Sequence, residues 1–256
     1  MNRCAVIATH HKTGTVWMRD VFRGISHDLK INFIYLTRKS PQKKAKLLPP
    51  AVVLNDHADF SAMPWLIDGP DQRILHVVRD PRDVLISAMH YHRVAQESWL
   101  HVSRKTFGGL SYQQKLNSLP DDRSRYLFEL KHSAGRTIGK MCSWNYGAKN
   151  CFECRYEDLA TDFEMKLFTQ IVCHLGFAPD ELEICRANFW KNSLFGQREA
   201  GESPHVRRGA PRQWSDVFDR ELAMRFLHQF GSALVTLGYE PDDTWIEHLR
   251  AGSTDA

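Results

Sequence analysis

Short apolar runs alternate with amphipathic stretches along the first half of the chain. Residues 4–9 read as a strand centred on the apolar run 5–8. Residues 16–29 then place Met18, Val21, Phe22, Ile25 and Leu29 at helical spacing. Residues 31–36, 51–54 and 73–78 are three further short β-like runs. Asp80 offers a helix N-cap with Pro81 at the first helical position, which predicts a helix through about His92. Alternation of this kind predicts a central parallel sheet with helices on its faces.

The next stretch, 93 to about 122, is polar and aromatic, with Gly108, Gly109 and Pro120 as breakers; it reads as an insertion carrying short helices. A helix is expected over 123–148, weakened by Gly135 and Gly139, then a strand over 151–156 and a helix over 159–175. Residues 196–212 are rich in Gly, Pro and charge and lack periodicity, which predicts a loop, and 220–237 reads as a last amphipathic helix. No internal repeat or low-complexity tract interrupts this order, so residues 1–256 are expected to form a single domain.

Composition changes the picture little. Hydrophobic residues at 43% and charged residues at 25% are those of a soluble globular chain. The net charge of +4 suits an anionic ligand and is too small and scattered to argue for nucleic acid. Six cysteines (4, 142, 151, 154, 173 and 185) are too few for a secreted disulfide framework. Cys151 and Cys154 form a CxxC, but on a predicted strand and without a second pair to complete four zinc ligands, so they read as ordinary reduced thiols. The first strand starts where a signal peptide would need its apolar segment, and no apolar run reaches membrane-spanning length. A cytoplasmic protein is expected.

Candidate chemistry gathers at predicted strand ends. Lys12, His57, Arg79 and Tyr156 each fall at or just after one, and in open parallel sheets ligands bind beyond the carboxyl ends of the strands. The segment THHKTGTVW (9–17) leads a strand through a Gly-containing turn into a helix N-terminus, whose unpaired N–H groups and dipole suit phosphate or sulfate. It is not a GxxxxGK[ST] loop, because the lysine precedes the glycine. In VVRDPRDVLIS (77–87), Arg79 ends a strand and Ser87 lies two turns into the following helix, a fork and a hydroxyl for a second phosphate. Taken singly, a solvated turn lysine and a surface Arg–Asp network explain these residues as well.

As an ordered set they resemble the sulfotransferases that use 3′-phosphoadenosine-5′-phosphosulfate (PAPS). KTGTVW is similar to that family's 5′-phosphosulfate loop, RDPRDVLIS to its 3′-phosphate motif, RYEDL to its YEDL segment, and HVRRGAPRQW to its late RKGxxGDW motif. The resemblance implies a P-loop-like sulfotransferase fold, with PAPS as donor, PAP as product and no metal. Lys12, Thr13, Gly14, Thr15 and Val16 would hold the 5′-phosphosulfate, and Trp17 would stack on adenine. Arg79, Ser87, Arg207, Arg208 and Gly209 would hold the 3′-phosphate, and Tyr156 and Phe189 would border the base. His57, at the place of the histidine in the family's KTHLP motif and twenty-two residues before Arg79, is the expected general base.

Two departures accompany the match. The family's KTH becomes Asn55-Asp56-His57, which removes a lysine and leaves Asp56 to orient the histidine; GDW becomes Arg212-Gln213-Trp214. The expected reaction is attack by an acceptor hydroxyl or amine on sulfur, with Lys12 stabilising the leaving phosphate. A catalytically silent PAPS- or PAP-binding module and a divergent P-loop kinase are the rival readings. The acceptor stays open among small molecules, lipids and carbohydrates, as does the oligomeric state. Trp99, Phe107 and Tyr112 either line an apolar acceptor pocket or anchor the insertion.

Overall fold

The computed structural model describes residues 4–37, 50–61, 63–69, 72–196 and 209–249. In chain order the strands are β1 (Cys4–Thr9), β2 (Asn32–Leu36), β3 (Ala51–Asn55), β4 (Arg73–Val78) and β5 (Cys151–Arg155). The helices are α1 (Thr15–Asp28), α2 (Trp65–Asp68), α3 (Pro81–His92), α4 (Tyr112–Asn117), α5 (Asp122–Glu129), α6 (Gly135–Cys142), α7 (Tyr156–Ala160), α8 (Lys166–His174), α9 (Leu182–Asn192) and α10 (Arg220–Thr236). The described residues divide into two compact units, one of residues 1–79 and 144–210, the other of 80–143 and 211–256.

The first unit holds all five strands as one parallel sheet in the order β2-β3-β1-β4-β5. Alternation along β1 separates two packed faces. Ala5 and Ile7 join Val52, Leu54, Leu75 and Val77 under α1, α8 and α9. Val6 and Ala8 join Val53, Ile74, Phe60 and Leu66 on the other face. Helix α9, for which the hydrophobic pattern alone gives no signal, carries Asn188 at a buried position, where its amide reaches Asp28 at 2.9 Å.

Two predicted helices differ from the structure. The expected helix 159–175 is broken at 161–165: Asp162 turns its carboxylate onto the amides of Leu167 and Phe168 at 3.2 and 2.8 Å and so starts α8 afresh. The expected helix 123–148 is confirmed only as far as Cys142, with a π-helical turn at Leu130–Ala134 between α5 and α6. Beyond it the Asn145 side chain accepts the Gly147 amide at 3.2 Å, an Asx turn that ends helical propagation.

In the second unit Asp80 caps α3 as predicted, accepting the Arg82 amide at 2.9 Å. The Arg82 guanidinium is buried between indoles, 3.5 Å from the Trp214 ring centroid and 4.7 Å from that of Trp245. It pairs with Asp80 at 2.7 Å and with Glu240 at 2.6 Å. The insertion is anchored by its aromatics: Tyr112 has no exposed surface, donates to the buried Glu129 carboxylate at 2.8 Å, and packs against Trp99 and Phe107. His92 adds a second contact to Glu129 at 2.9 Å.

Candidate active site

Because every strand of the sheet is parallel, the residues after β1, β3, β4 and β5 emerge at one edge. Lys12, His57, Arg79 and Tyr156 are those residues, as the sequence order predicts. The chain leaves β1 toward β2 on one side and β4 toward β5 on the other, so the crevice at which connections diverge lies between β1 and β4. Lys12 and Arg79 stand at its two lips.

The β1–α1 turn is built by threonines. The His10 carbonyl accepts the Thr13 amide at 3.1 Å, the Thr13 hydroxyl at 3.0 Å and the Thr15 hydroxyl at 2.9 Å. Thr13 is wholly buried and its hydroxyl serves the turn, so what it presents to a ligand is backbone. Lys12 and Gly14 both have left-handed backbone, with φ of 69° and 97°. Gly14 is the N-cap of α1 and supplies no side-chain cap, and the first turn of α1 holds no acidic residue. The amides of Thr15, Val16 and Trp17 therefore belong to an N-terminus whose positive dipole end has no acidic residue in its own first turn.

Arg79 ties three strand ends together. It is 6% exposed, donates to the Lys12 carbonyl at 3.1 Å, and lies over the Tyr156 ring at 4.4 Å from the centroid. Tyr156 in turn donates to the Gly209 carbonyl at 2.7 Å. Gly209 has φ 64°, and a methyl there would come within 1.9 Å of Leu194, which explains glycine at this position. Trp17 meets Tyr156 edge-on at 5.8 Å and stacks on Phe189 at 5.3 Å. Phe189 has no exposed surface and stacks on Phe168 at 4.1 Å with its other flank, so it backs Trp17 from within the core. The indole Nε1 of Trp17 is buried without a hydrogen-bond partner among the described residues.

His57 stands on a turn shaped by Asn55. The Asn55 side chain accepts the His57 amide at 3.0 Å and donates to the Asp59 carbonyl at 2.7 Å. The residue at the family's lysine position is thus spent on the turn. His57 Nδ1 lies 2.6 Å from the Asp56 carbonyl oxygen and 3.3 Å from the Asp56 carboxylate. A carbonyl can only accept, so Nδ1 carries a proton, and in the neutral ring the lone pair is then on Nε2. The Tyr35 hydroxyl holds the Asp56 carboxylate from behind at 3.1 Å, and burial together with that carboxylate pushes the Tyr35 phenol up to about 12. The Thr9 and Thr15 hydroxyl oxygens are 2.9 Å apart, and the Thr9 hydroxyl lies 3.4 Å from the Asn55 carbonyl, linking this turn to the β1–α1 turn. From sequence, Thr9 and His10 belong to the THHKTGTVW segment, Asn55 stands at the family's lysine position and Tyr35 near a strand end, and none of these signals their role as supports of the two turns.

Ser87 is half-buried on α3 of the second unit. Arg207 and Arg208 lie outside the described residues. The CxxC pair is separated by the strand itself: Cys154 packs with the α1 side of the sheet and Cys151 with the opposite side. No cluster of three or more His, Cys, Asp or Glu side chains able to hold a metal occurs among the described residues. No described helix is long and apolar enough to cross a membrane.

Among solved structures, mouse sulfotransferase SULT7A1 complexed with PAP aligns with a TM-score of 0.57 at 17% identity, covering 93% of this chain and 89% of its own. Retinol dehydratase complexed with retinol and PAP aligns with a TM-score of 0.55 at 18% identity, covering 90% and 81%. The same enzyme with androsterone and inactive cofactor PAP gives 0.51 at 17% identity, covering 90% and 80%. At these identities the likeness establishes the fold. The sulfotransferase domain family model matches residues 3–238, nearly the whole chain and the whole of the sheet and its edge, so this protein belongs to the sulfotransferase domain family.

Proposed function

We propose that this chain transfers a sulfuryl group from PAPS to a hydroxyl or amine of a small-molecule, lipid or carbohydrate acceptor and releases PAP. The observation that supports the reading is the β1–β4 crevice, where the buried Arg79 donates to the Lys12 carbonyl beside the N-terminus of α1. The amides of residues 13–16 and the Lys12 ammonium would hold the 5′-phosphosulfate, with Trp17 against the adenine and Phe189 behind it. Arg79 and the backbone of Gly209 would hold the 3′-phosphate, and Tyr156 would border the adenine. Ser87, Arg207 and Arg208 enter on the sequence motif alone. Residues 1–256 are taken as one sulfotransferase domain with an acceptor-side insertion at about 93–122.

In the proposed reaction His57 Nε2 takes the acceptor proton while the acceptor attacks sulfur in line. The new bond to sulfur forms as the bond from sulfur to the bridging phosphate oxygen breaks. Lys12 neutralises the charge that grows on that oxygen. With Asn55 in the lysine position, the sulfuryl oxygens are left to Lys12 and the α1 amides. A sulfuryl group carries less charge than a phosphoryl group, and no metal enters the reading.

The test is calorimetry followed by kinetics on the same samples. PAP is expected to bind tightly and adenosine 5′-phosphate much more weakly, since each charge-assisted contact to the 3′-phosphate is worth roughly 1.5–3 kcal/mol. Equal affinities would refute the 3′-phosphate site. Lys12→Ala should weaken both PAP binding and turnover, whereas His57→Ala should keep PAP affinity and lose roughly 10²–10⁴ in turnover. A folded, PAP-binding His57→Ala variant with normal turnover would remove His57 from the reaction. Asn55 favours one second reading, a PAP-binding module without turnover; a labelled-donor assay across acceptor classes decides between the two.

A further inference from the structure

On the sheet face opposite α1, directly beneath the β1–α1 turn, the side chains of His10 and His76 meet. Their Nε2 atoms are 2.8 Å apart, and the two rings are 1% and 0% exposed. His76 stacks on Trp144 at 4.1 Å with only 13° between the planes, and Tyr146 lies at 5.9 Å. Its Nδ1 faces the exposed Glu153 carboxylate at 3.4 Å. Nothing in the proposed reaction uses these side chains.

A nitrogen–nitrogen hydrogen bond requires one proton between the two Nε2 atoms. With Glu153 accepting from His76 Nδ1, the shared proton sits on His10 and points at His76. Burial pushes His76 down to about 3, so it remains neutral and able to accept across the working range. His10 is also the residue whose carbonyl collects three donors from Thr13 and Thr15. Its side chain is bolted to β4 while its backbone carries the turn.

We infer that the His10–His76 pair is a positioning device for the donor, fixing the β1–α1 turn so that Lys12 and the α1 amides are pre-arranged for the 5′-phosphosulfate. The inference rests on the proposed PAPS site. Without the bond, the binding-competent turn is only fractionally populated and apparent affinity falls by that fraction.

PAP calorimetry and donor kinetics on the full chain test it. His76→Phe keeps the ring stacked on Trp144 and removes the acceptor. Its PAP Kd and donor KM should rise by about five- to tenfold, with a much smaller change in kcat, because the proposed reaction passes no proton through the pair. His76→Gln, whose amide can meet His10 at the same place, should restore Kd to within about twofold of the unsubstituted protein. His10→Leu breaks the bond from the other side and stands in should His76→Phe fail to fold; it should show the same rise. A folded His76→Phe or His10→Leu protein with a lower Tm but unchanged PAP Kd would overturn the inference and leave the pair a packing feature. Failure of the unsubstituted protein to bind PAP would instead overturn the donor site itself.

Discussion

Replacing Gly14 by alanine tests how much of the donor site depends on one missing side chain. Gly14 has φ 97° and ψ 18°, beyond the usual left-handed well, where an L-residue pays about 1–2 kcal/mol. The new methyl would lie 3.0 Å from Cδ2 and 3.4 Å from Cε2 of Tyr156. That ring cannot easily retreat, since it is held by its bond to the Gly209 carbonyl, by Arg79 on its face and by Trp17 at its edge. Crowding of this kind adds about 1 kcal/mol or more. Against this, alanine restricts the unfolded chain and returns about 0.4–1 kcal/mol. The net loss should be about 1–3 kcal/mol, a fall in Tm of roughly 2–12 °C for a chain of this size. PAP affinity should fall as well, because the displaced ring supports Arg79. The control is Gly139→Ala on α6, where a methyl meets nothing within 4 Å; that change should be neutral or slightly stabilising. Thermal melts of both variants, with PAP titrations, are the assay. A Gly14→Ala protein that melts within a degree of the unsubstituted chain and binds PAP equally would refute the argument.

Two further outcomes follow from buried titratable groups. His76 would take a proton near 6.5 when unfolded but only near 3 when folded, so between those values the unfolded chain holds more protons and stability falls as pH drops, by up to about 1.4 kcal/mol per unit. Melts between pH 7 and 5 should therefore show a shallower pH dependence for His76→Gln; an unchanged slope would contradict this. Burial also pushes the thiols of Cys4, Cys142, Cys151, Cys154 and Cys185 up, Cys151 to about 11 and Cys185 to about 12, whereas Cys173 is exposed. Thiol titration at neutral pH should find Cys173 reacting first and the others only on unfolding, and mapping the label to Cys151 or Cys154 in the folded protein would contradict it.

The sequence by itself determined the sheet and the residues at its edge. Apolar runs of strand length, an Asp-Pro helix start and Gly14 in a turn are local signals, and local signals place Lys12, His57, Arg79 and Tyr156 after strands without any knowledge of neighbours. It also determined the family, because the ordered motifs are local too. Tertiary structure decided the rest. The order β2-β3-β1-β4-β5 sets Lys12 beside Arg79, and no spacing along the chain states which strands are adjacent. The break before α8 depends on where the Asp162 side chain turns, and α9 is held partly by a buried asparagine that hydrophobic periodicity counts as polar. The stacking of Phe189 behind Trp17, the use of Asn55 to shape the His57 turn and the meeting of His10 with His76 sixty-six residues away are long-range contacts. Such pairings are fixed by packing and by the need to satisfy buried polar groups, which operate only once the strands have come together.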